Sequence, residues 1–247
     1  MLAIKAGRLF LMISPAGCGK SCVSRFLAQH HPQARLLDRL SVADLQALEK
    51  DFTNFRGVVI VDDISKSQTT YARISTLTTL AELTHSHYVE SHLKGSDYII
   101  RDFYGSAIVN IQPVLLRQLV KSPEWEASLM EKSIRYYHLY RPVKPNPELP
   151  SLNLNWGIPL EETKPHRLAE KLGRDLLRIA RSQWGAARSQ EHLEALLRAS
   201  ASLDKRTIVN QSDYYLLADL LKPLQVERVV YTKQALETGR ELDSNTL

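Results

Sequence analysis

Cysteine is nearly absent. Cys18 and Cys22 are the only two in 247 residues, and they stand four apart in one short stretch. That excludes a disulfide framework and leads us to expect a reducing, intracellular and cytoplasmic setting. Long apolar runs are also missing. None approaches the ~18 residues of a membrane span, and the first apolar run begins too early and is too short for a signal peptide, so no membrane partner is expected. Base-reading motifs are lacking too: there is no zinc-finger spacing and, at 7% aromatic residues, no stacking platform legible in the sequence. What remains is ordinary for a globular chain, 44% hydrophobic and 24% charged, long enough for one large domain or a core plus a smaller unit. The net charge of +5 favours an anionic partner, nucleic acid first, although solvated Lys and Arg faces give the same number.

The cysteines lie in the most informative stretch, Ser14-Pro15-Ala16-Gly17-Cys18-Gly19-Lys20-Ser21-Cys22. It follows the apolar run Leu9–Ile13 and opens an amphipathic segment. Strand, glycine-containing loop and Gly-Lys-Ser at a helix start form the arrangement that wraps backbone N–H groups around phosphates. Residues 15–22 are therefore the candidate ATP-binding loop, with Lys20 reaching the β- and γ-phosphates and the Ser21 hydroxyl on Mg²⁺. Ser14 stands where the strict pattern has glycine.

A second signature is Gly57-Val58-Val59-Ile60-Val61-Asp62-Asp63. Four consecutive β-branched residues read as a fully buried parallel strand. Two carboxylates at its end are expensive unless used there. With this strand expected beside the phosphate loop, Asp62 would support Mg²⁺ and Asp63 would polarise the attacking water.

Between and beyond these, Ser41 and Asp44 open a helix expected over 42–52. A long helix is expected from about Thr69 to Leu93, with His85, His87 and His92 at its end as metal ligands or as solvated and capping histidines. Strands are expected at 98–103 and 106–112. Asn110 and Gln112 share a face by the two-residue period. Gln112, nearer the strand end, is the first candidate to orient water against the γ-phosphate and Asn110 the second; a capping or core amide is the alternative. Around a last strand at 134–142, Lys132, Arg135 or Arg141 could act on a neighbouring subunit's γ-phosphate, or form structural ion pairs.

Pro142, Pro145, Pro147, Pro150 and Pro159 mark a connector at 144–163, between a core at 1–143 and a helical unit at 164–247. In that unit Arg167, Lys171, Arg174, Arg178 and Arg181 recur at steps of four and three, a basic stripe on one helix face. Its partner is nucleic-acid backbone, an acidic neighbouring subunit, or water and the nearby Glu170 and Asp175.

Taken together these residues resemble the AAA+ ATPases of the P-loop superfamily. Ser14–Ser21 looks like that family's first nucleotide motif, Val58–Asp63 like its second, and Gln112 or Asn110 like its polar sensor. The helical unit is similar to the lids of minichromosome maintenance helicases and their relatives, by which Arg188 is the γ-phosphate-contacting arginine and Arg198 stands behind it. The resemblance implies an α/β P-loop core with a parallel sheet flanked by helices, a small C-terminal helical lid, and a homo-oligomeric ring or hexamer. It also implies Mg-ATP hydrolysis coupled to work on DNA, RNA or protein. With the basic stripe, the expected work is on DNA, as a replication, recombination or packaging motor or loader, with a protein partner allowed. The chain departs from the pattern at Ser14, at Asp63 (usually Glu) and at the finger position, departures that bear on hydrolysis and assembly more than on nucleotide binding. Two other readings stay open: a P-loop phosphotransferase acting on a small molecule or polynucleotide, and an ATP-gated DNA-binding module with weak hydrolysis.

Overall fold

The run Val58-Val59-Ile60-Val61 has no polar member, and it forms a strand buried on both faces (β3, Val58–Val61). In the computed structural model, which describes residues 1–66, 69–93, 96–138, 155–164, 170–181 and 184–221, β3 belongs to a five-stranded, wholly parallel sheet. Its other strands are β1 (Leu9–Ile13), β2 (Ala34–Leu37), β6 (Ser106–Ile111) and β7 (Ser133–Tyr137), in the order β2-β3-β6-β1-β7. Side chains alternate across it as the pleat requires. Leu9, Leu11, Val59, Val61, Ala107 and Val109 feed one core layer, while Val58, Ile60 and Ile108 feed the other. Burial on both faces is the usual condition of a parallel sheet.

The strand ending in Asp62-Asp63 reaches the neighbourhood of the loop without pairing with the loop strand; β6 is inserted between them, pairing with β1 on one side and β3 on the other. At ~4.8 Å between strands, β3 stands ~10 Å from β1. Asn110 on β6 occupies the gap.

Helices cover the sheet. α1 (Leu2–Lys5) precedes β1, in a stretch expected only as a lead-in. α2 (Lys20–His30) follows the glycine loop. α3 (Val42–Ala47) begins at a capping box, in which Asp44 N–H donates to Ser41 Oγ at 3.2 Å and Ser41 N–H to Asp44 Oδ2 at 2.8 Å. The helix expected over 42–52 breaks there, and α4 (Glu49–Phe52) continues the chain. α5 (Thr70–Ser86) is shorter than expected: His87 takes a left-handed conformation at φ 60° and stops it. The rest of that segment is β4 (Val89–Leu93), paired antiparallel with β5 (Ser96–Ile100). α6 (Pro113–Leu119) follows β6, with proline in its first turn, where no N–H is needed. A π-helical turn (Trp125–Leu129) and α7 (Met130–Lys132) lead into β7.

Three further helices, α8 (Glu170–Ala180), α9 (Ala186–Leu203) and α10 (Gln211–Leu221), share a separate apolar cluster that includes Leu176, Leu196, Leu217 and Trp184. This cluster is continuous with α1 and Ile134 of β7. Polar ties fasten it to that sheet edge. Trp184 Nε1 donates to Ser133 O at 2.9 Å, Gly185 N–H to both Glu131 oxygens at 2.9 Å, and His192 Nε2 bonds Glu131 O at 2.8 Å. Inside the unit, buried Asp213 accepts a forked pair from Arg206 (2.7 and 2.9 Å), together with Ser200 Oγ and Asn210 N–H.

Most of the proline-rich connector lies outside the described residues. Its later part, 155–164, is fixed rather than loose. Trp156 Nε1 donates to His30 O, Ile158 N–H to Ser202 O, and Arg198 to the carbonyls of Thr163 and Leu160. Among the described residues no helix is long and apolar enough to cross a membrane.

Candidate nucleotide site at the carboxyl edge of the sheet

The loop between β1 and α2 turns on two glycines. Gly17 and Gly19 take φ of +77° and +82°, a region open to glycine and strained for other residues. None of the N–H groups of residues 16–19 is spent on a backbone carbonyl among the described residues. They stand at the amino end of an 11-residue helix, whose dipole favours negative charge. Pro15, Ala16 and Cys18 complete the loop, with Cys18 buried and Cys22 exposed on the first turn of α2. Ser14, the departure from glycine, is wholly buried: its N–H donates to Ile111 O at 3.0 Å, joining the loop to the end of β6.

Lys20 closes the loop on itself. Its Nζ lies 2.6 Å from Ser14 O and 2.7 Å from Pro15 O. Burial pushes its ammonium below the usual lysine range, while the charges of Asp63 and Asp62 pull the other way. Ser21, Asp62 and Asp63 are half-buried. Asp63 Oδ1 accepts from Ser65 N–H at 2.8 Å, which fixes that carboxylate at the mouth of a 3-10 turn, Ile64–Lys66. Close by, Lys66 pairs with Asp38 at 2.5 Å.

Asn110 joins the two signatures. Its Nδ2 donates to Ser24 Oγ on α2 at 2.8 Å and to Asp62 Oδ1 at 3.2 Å, while its Oδ1 is buried with no partner. Gln112 is not in this network. β6 ends at Ile111, and Gln112 instead takes the N-cap position of α6 without a side-chain cap bond.

The described cations expected at a γ-phosphate are bonded within the chain. Arg135 is 1% exposed, with Nη1 on the carbonyls of Met130 and Ser133, so its guanidinium is enclosed by its own chain and not offered to a neighbour. Lys132 pairs with Glu82, and Arg141 lies outside the described residues. Arg188 pairs with Glu191 at 2.6 Å, and Glu191 also holds Arg8 at 3.0 Å. Arg8 immediately precedes β1, so this cluster is tied to the amino edge of the sheet, opposite the glycine loop. Arg188 is thus placed with Glu191 and Arg8 and not beside the glycine loop of its own chain, and Arg198 is bonded to the 155–164 segment.

The histidines do not converge: His85 lies 3.3 Å from Glu191, His87 bonds Phe103 O, and His92 sits between Glu90 and Asp97. Among the described residues no group of three or more His, Cys, Asp or Glu could hold a metal ion. Of the basic stripe, Arg174, Arg178 and Arg181 are exposed on or just after α8. Arg167 and the side chain of Lys171 lie outside the described residues.

Sequence reasoning missed one feature of this edge. An apolar cavity of about 490 Å³ opens beside Cys18 and Lys20, walled by Met12 and Tyr136 of the sheet, Leu2 of α1 and Leu217 of α10. The available signals were the apolar Leu2-Ala3-Ile4 before β1 and the four-residue spacing of Leu217 and Leu221.

Scanned against models of known protein families, the chain matches none, and no curated protein sequence matches it significantly. The site therefore stands on its geometry.

Proposed function

We propose that the chain is a Mg-ATP-hydrolysing protein of AAA+ type that works on nucleic acid, most naturally DNA, as an oligomer. The observation that carries this reading is the bridge made by Asn110. One buried amide ties the helix behind the glycine loop to the carboxylate that closes the second signature, across the strand between them. An apolar residue would fill that gap at no desolvation penalty; a polar one is worth keeping where it orients a working carboxylate.

The residues present suit the missing groups. Free loop amides, the Lys20 ammonium and a helix amino terminus suit a triphosphate, and the adjoining apolar cavity suits the base. The Ser21 hydroxyl and Asp62 supply the oxygen donors that Mg²⁺ requires. Bound Mg²⁺ would offset the phosphate charge. Lys20 would leave the carbonyls of Ser14 and Pro15 for phosphate oxygens. Asp63, held through Oδ1, would keep Oδ2 for the proton of an attacking water. Helices α8 to α10, reaching the cavity through Leu217, would serve as a lid, and Arg178 and Arg181 would meet nucleic-acid backbone.

A second reading has one observation in its favour. The Ser65 N–H bond ties Asp63 Oδ1 to its own 3-10 turn and leaves a single oxygen to reach a water, which favours an ATP-gated binding module with slow turnover. Phosphate release by the purified chain, with and without DNA, tests both. Turnover lost in Asp63→Asn supports the hydrolase. ATP binding with background release supports the gated module. Neither, in a folded protein, overturns the nucleotide reading.

A further inference from the structure

The edge of the sheet opposite the glycine loop carries a second opening. A cleft of about 630 Å³ lies at the amino ends of β1, β3 and β6, between the 155–162 segment and α9. The five residues of β1, ~17 Å at the usual strand rise, separate it from the loop, so both openings can be filled at once.

Its walls combine aromatic rings, cations and carboxylates. Aromatic rings come first. Tyr104, 46% exposed, carries the Arg56 guanidinium 4.8 Å from its centroid and the His87 ring at 4.9 Å. Trp156 meets His31 edge-on at 4.4 Å and is anchored through Nε1 to His30 O. Charged groups come second. Lys5, Arg8 and Arg198 line the same cleft, the two arginines held in place, Arg8 by Glu191 and Arg198 by the carbonyls of Thr163 and Leu160. Glu161 and Glu194 also line it. A cleft for a bare polyanion would gain nothing from carboxylates. One for a ligand that has flat rings, negative charge and N–H donors together would use all three.

A nucleic-acid strand with unpaired bases is such a ligand. Its bases stack on aromatic and guanidinium faces, its exocyclic amino groups donate to carboxylates, and its phosphates meet fixed cations. In a duplex the base faces are already stacked on one another. We infer that this cleft binds a single-stranded nucleic-acid segment, with bases against Tyr104 and Trp156 and backbone along Lys5 and Arg198. The inference deepens the proposed reading and rests on it for the partner's class, but not on ATP hydrolysis. α1 also links the two openings, since Ile4 lines both the cleft and the apolar cavity beside Lys20.

Trp156 provides the reporter. The other tryptophans, Trp125 and Trp184, are 2% exposed, so a strand in the cleft should quench Trp156 alone. The full chain is titrated, without ATP, with a mixed-sequence DNA strand of about 16 nucleotides, following tryptophan emission and the anisotropy of a labelled copy. Saturable quenching is expected, absent in Trp156→Phe. Affinity should fall about tenfold or more in the double variant Arg56→Ala, Tyr104→Ala, whose side chains are both exposed and whose fold is checked by circular dichroism.

Three results would overturn the inference. If the double variant binds as the unaltered chain does while Arg178→Glu with Arg181→Glu loses binding, the cleft is wrong and the nucleic-acid reading stands. If neither a strand nor a duplex binds the folded chain, both fall together. If inorganic polyphosphate or duplex displaces the strand as well as unlabelled strand does, the cleft reads charge and not bases.

Discussion

The amide of Asn110 lies 3.2 Å from the carboxylate of Asp62, reaching from the strand that separates the two signatures. Its other bond, 2.8 Å to Ser24, fixes the amide against the loop helix, so the carboxylate is oriented by a group with no freedom of its own. Asn110→Ala should therefore damage function more than fold. The stability loss is about 1–3 kcal/mol, the usual penalty for orphaning a buried polar partner, read as a lower urea midpoint at unchanged slope. ATP turnover should fall at least tenfold with little change in ATP affinity. Equal turnover in the variant would remove Asn110 from the mechanism.

Lys20 shows where the loop's readiness resides. With Nζ spent on two carbonyls of its own loop, the unliganded loop holds a compact shape around the ammonium. Mg-ATP at 100 times its Kd should stabilise the chain by about 2.7 kcal/mol, by mass action alone. Lys20→Ala should erase that gain in a thermal-shift titration and lower the unliganded Tm only slightly. A preserved ligand-dependent shift would point to a nucleotide bound elsewhere.

Much of this site was legible because it is written locally. Glycines that need positive φ, a lysine at a helix start and an apolar strand ending in carboxylates each carry their reason within a few residues. So does the Ser41–Asp44 capping box. What was misread depends on contacts distant in sequence. The α5 pattern gives no warning that His87 turns left-handed, because Phe103 caps it from sixteen residues away. Gln112 looked nearer the chemistry than Asn110, yet Pro113 starts a helix and draws Gln112 out of the strand. Arg188 has the right neighbours in sequence, and in space Glu191 binds it to Arg8 at the far edge.

The Arg206–Asp213 fork holds the turn between α9 and α10. Burial disfavours the Asp213 charge, but Arg206, Asn210 N–H and Ser200 outweigh it and keep the carboxyl below the usual range. A depressed carboxyl stabilises the fold above its unfolded pKa, ~3.9, and the contribution is lost as pH falls through the folded value. Asp213→Ala should cost about 1–3 kcal/mol at pH 7, because Ser200 and the Asn210 N–H lose their acceptor while Arg206 keeps Asp204 and the Ile208 carbonyl. The difference between variant and parent should shrink below about pH 4. Chemical denaturation at the two pH values checks both statements, and a constant difference would refute the ionic origin.

His192 runs the opposite way. It is wholly buried against Trp184, rings 4.7 Å apart, with Nε2–H donating to Glu131 O and Nδ1 without a partner. Burial pushes its pKa down to about 4, the bond to Glu131 only partly opposing. The folded chain therefore refuses a proton that the unfolded chain accepts below pH ~6.5, and stability must fall as pH drops from there towards 4. At 1.36 kcal/mol per pKa unit the loss is about 3 kcal/mol over that window. His192→Gln keeps a donor for Glu131 and has no charge to gain. Its stability should fall less steeply over that window, measured by urea midpoints at pH 7 and pH 4.5, while a variant as acid-sensitive as the parent would show that His192 is not the group that titrates.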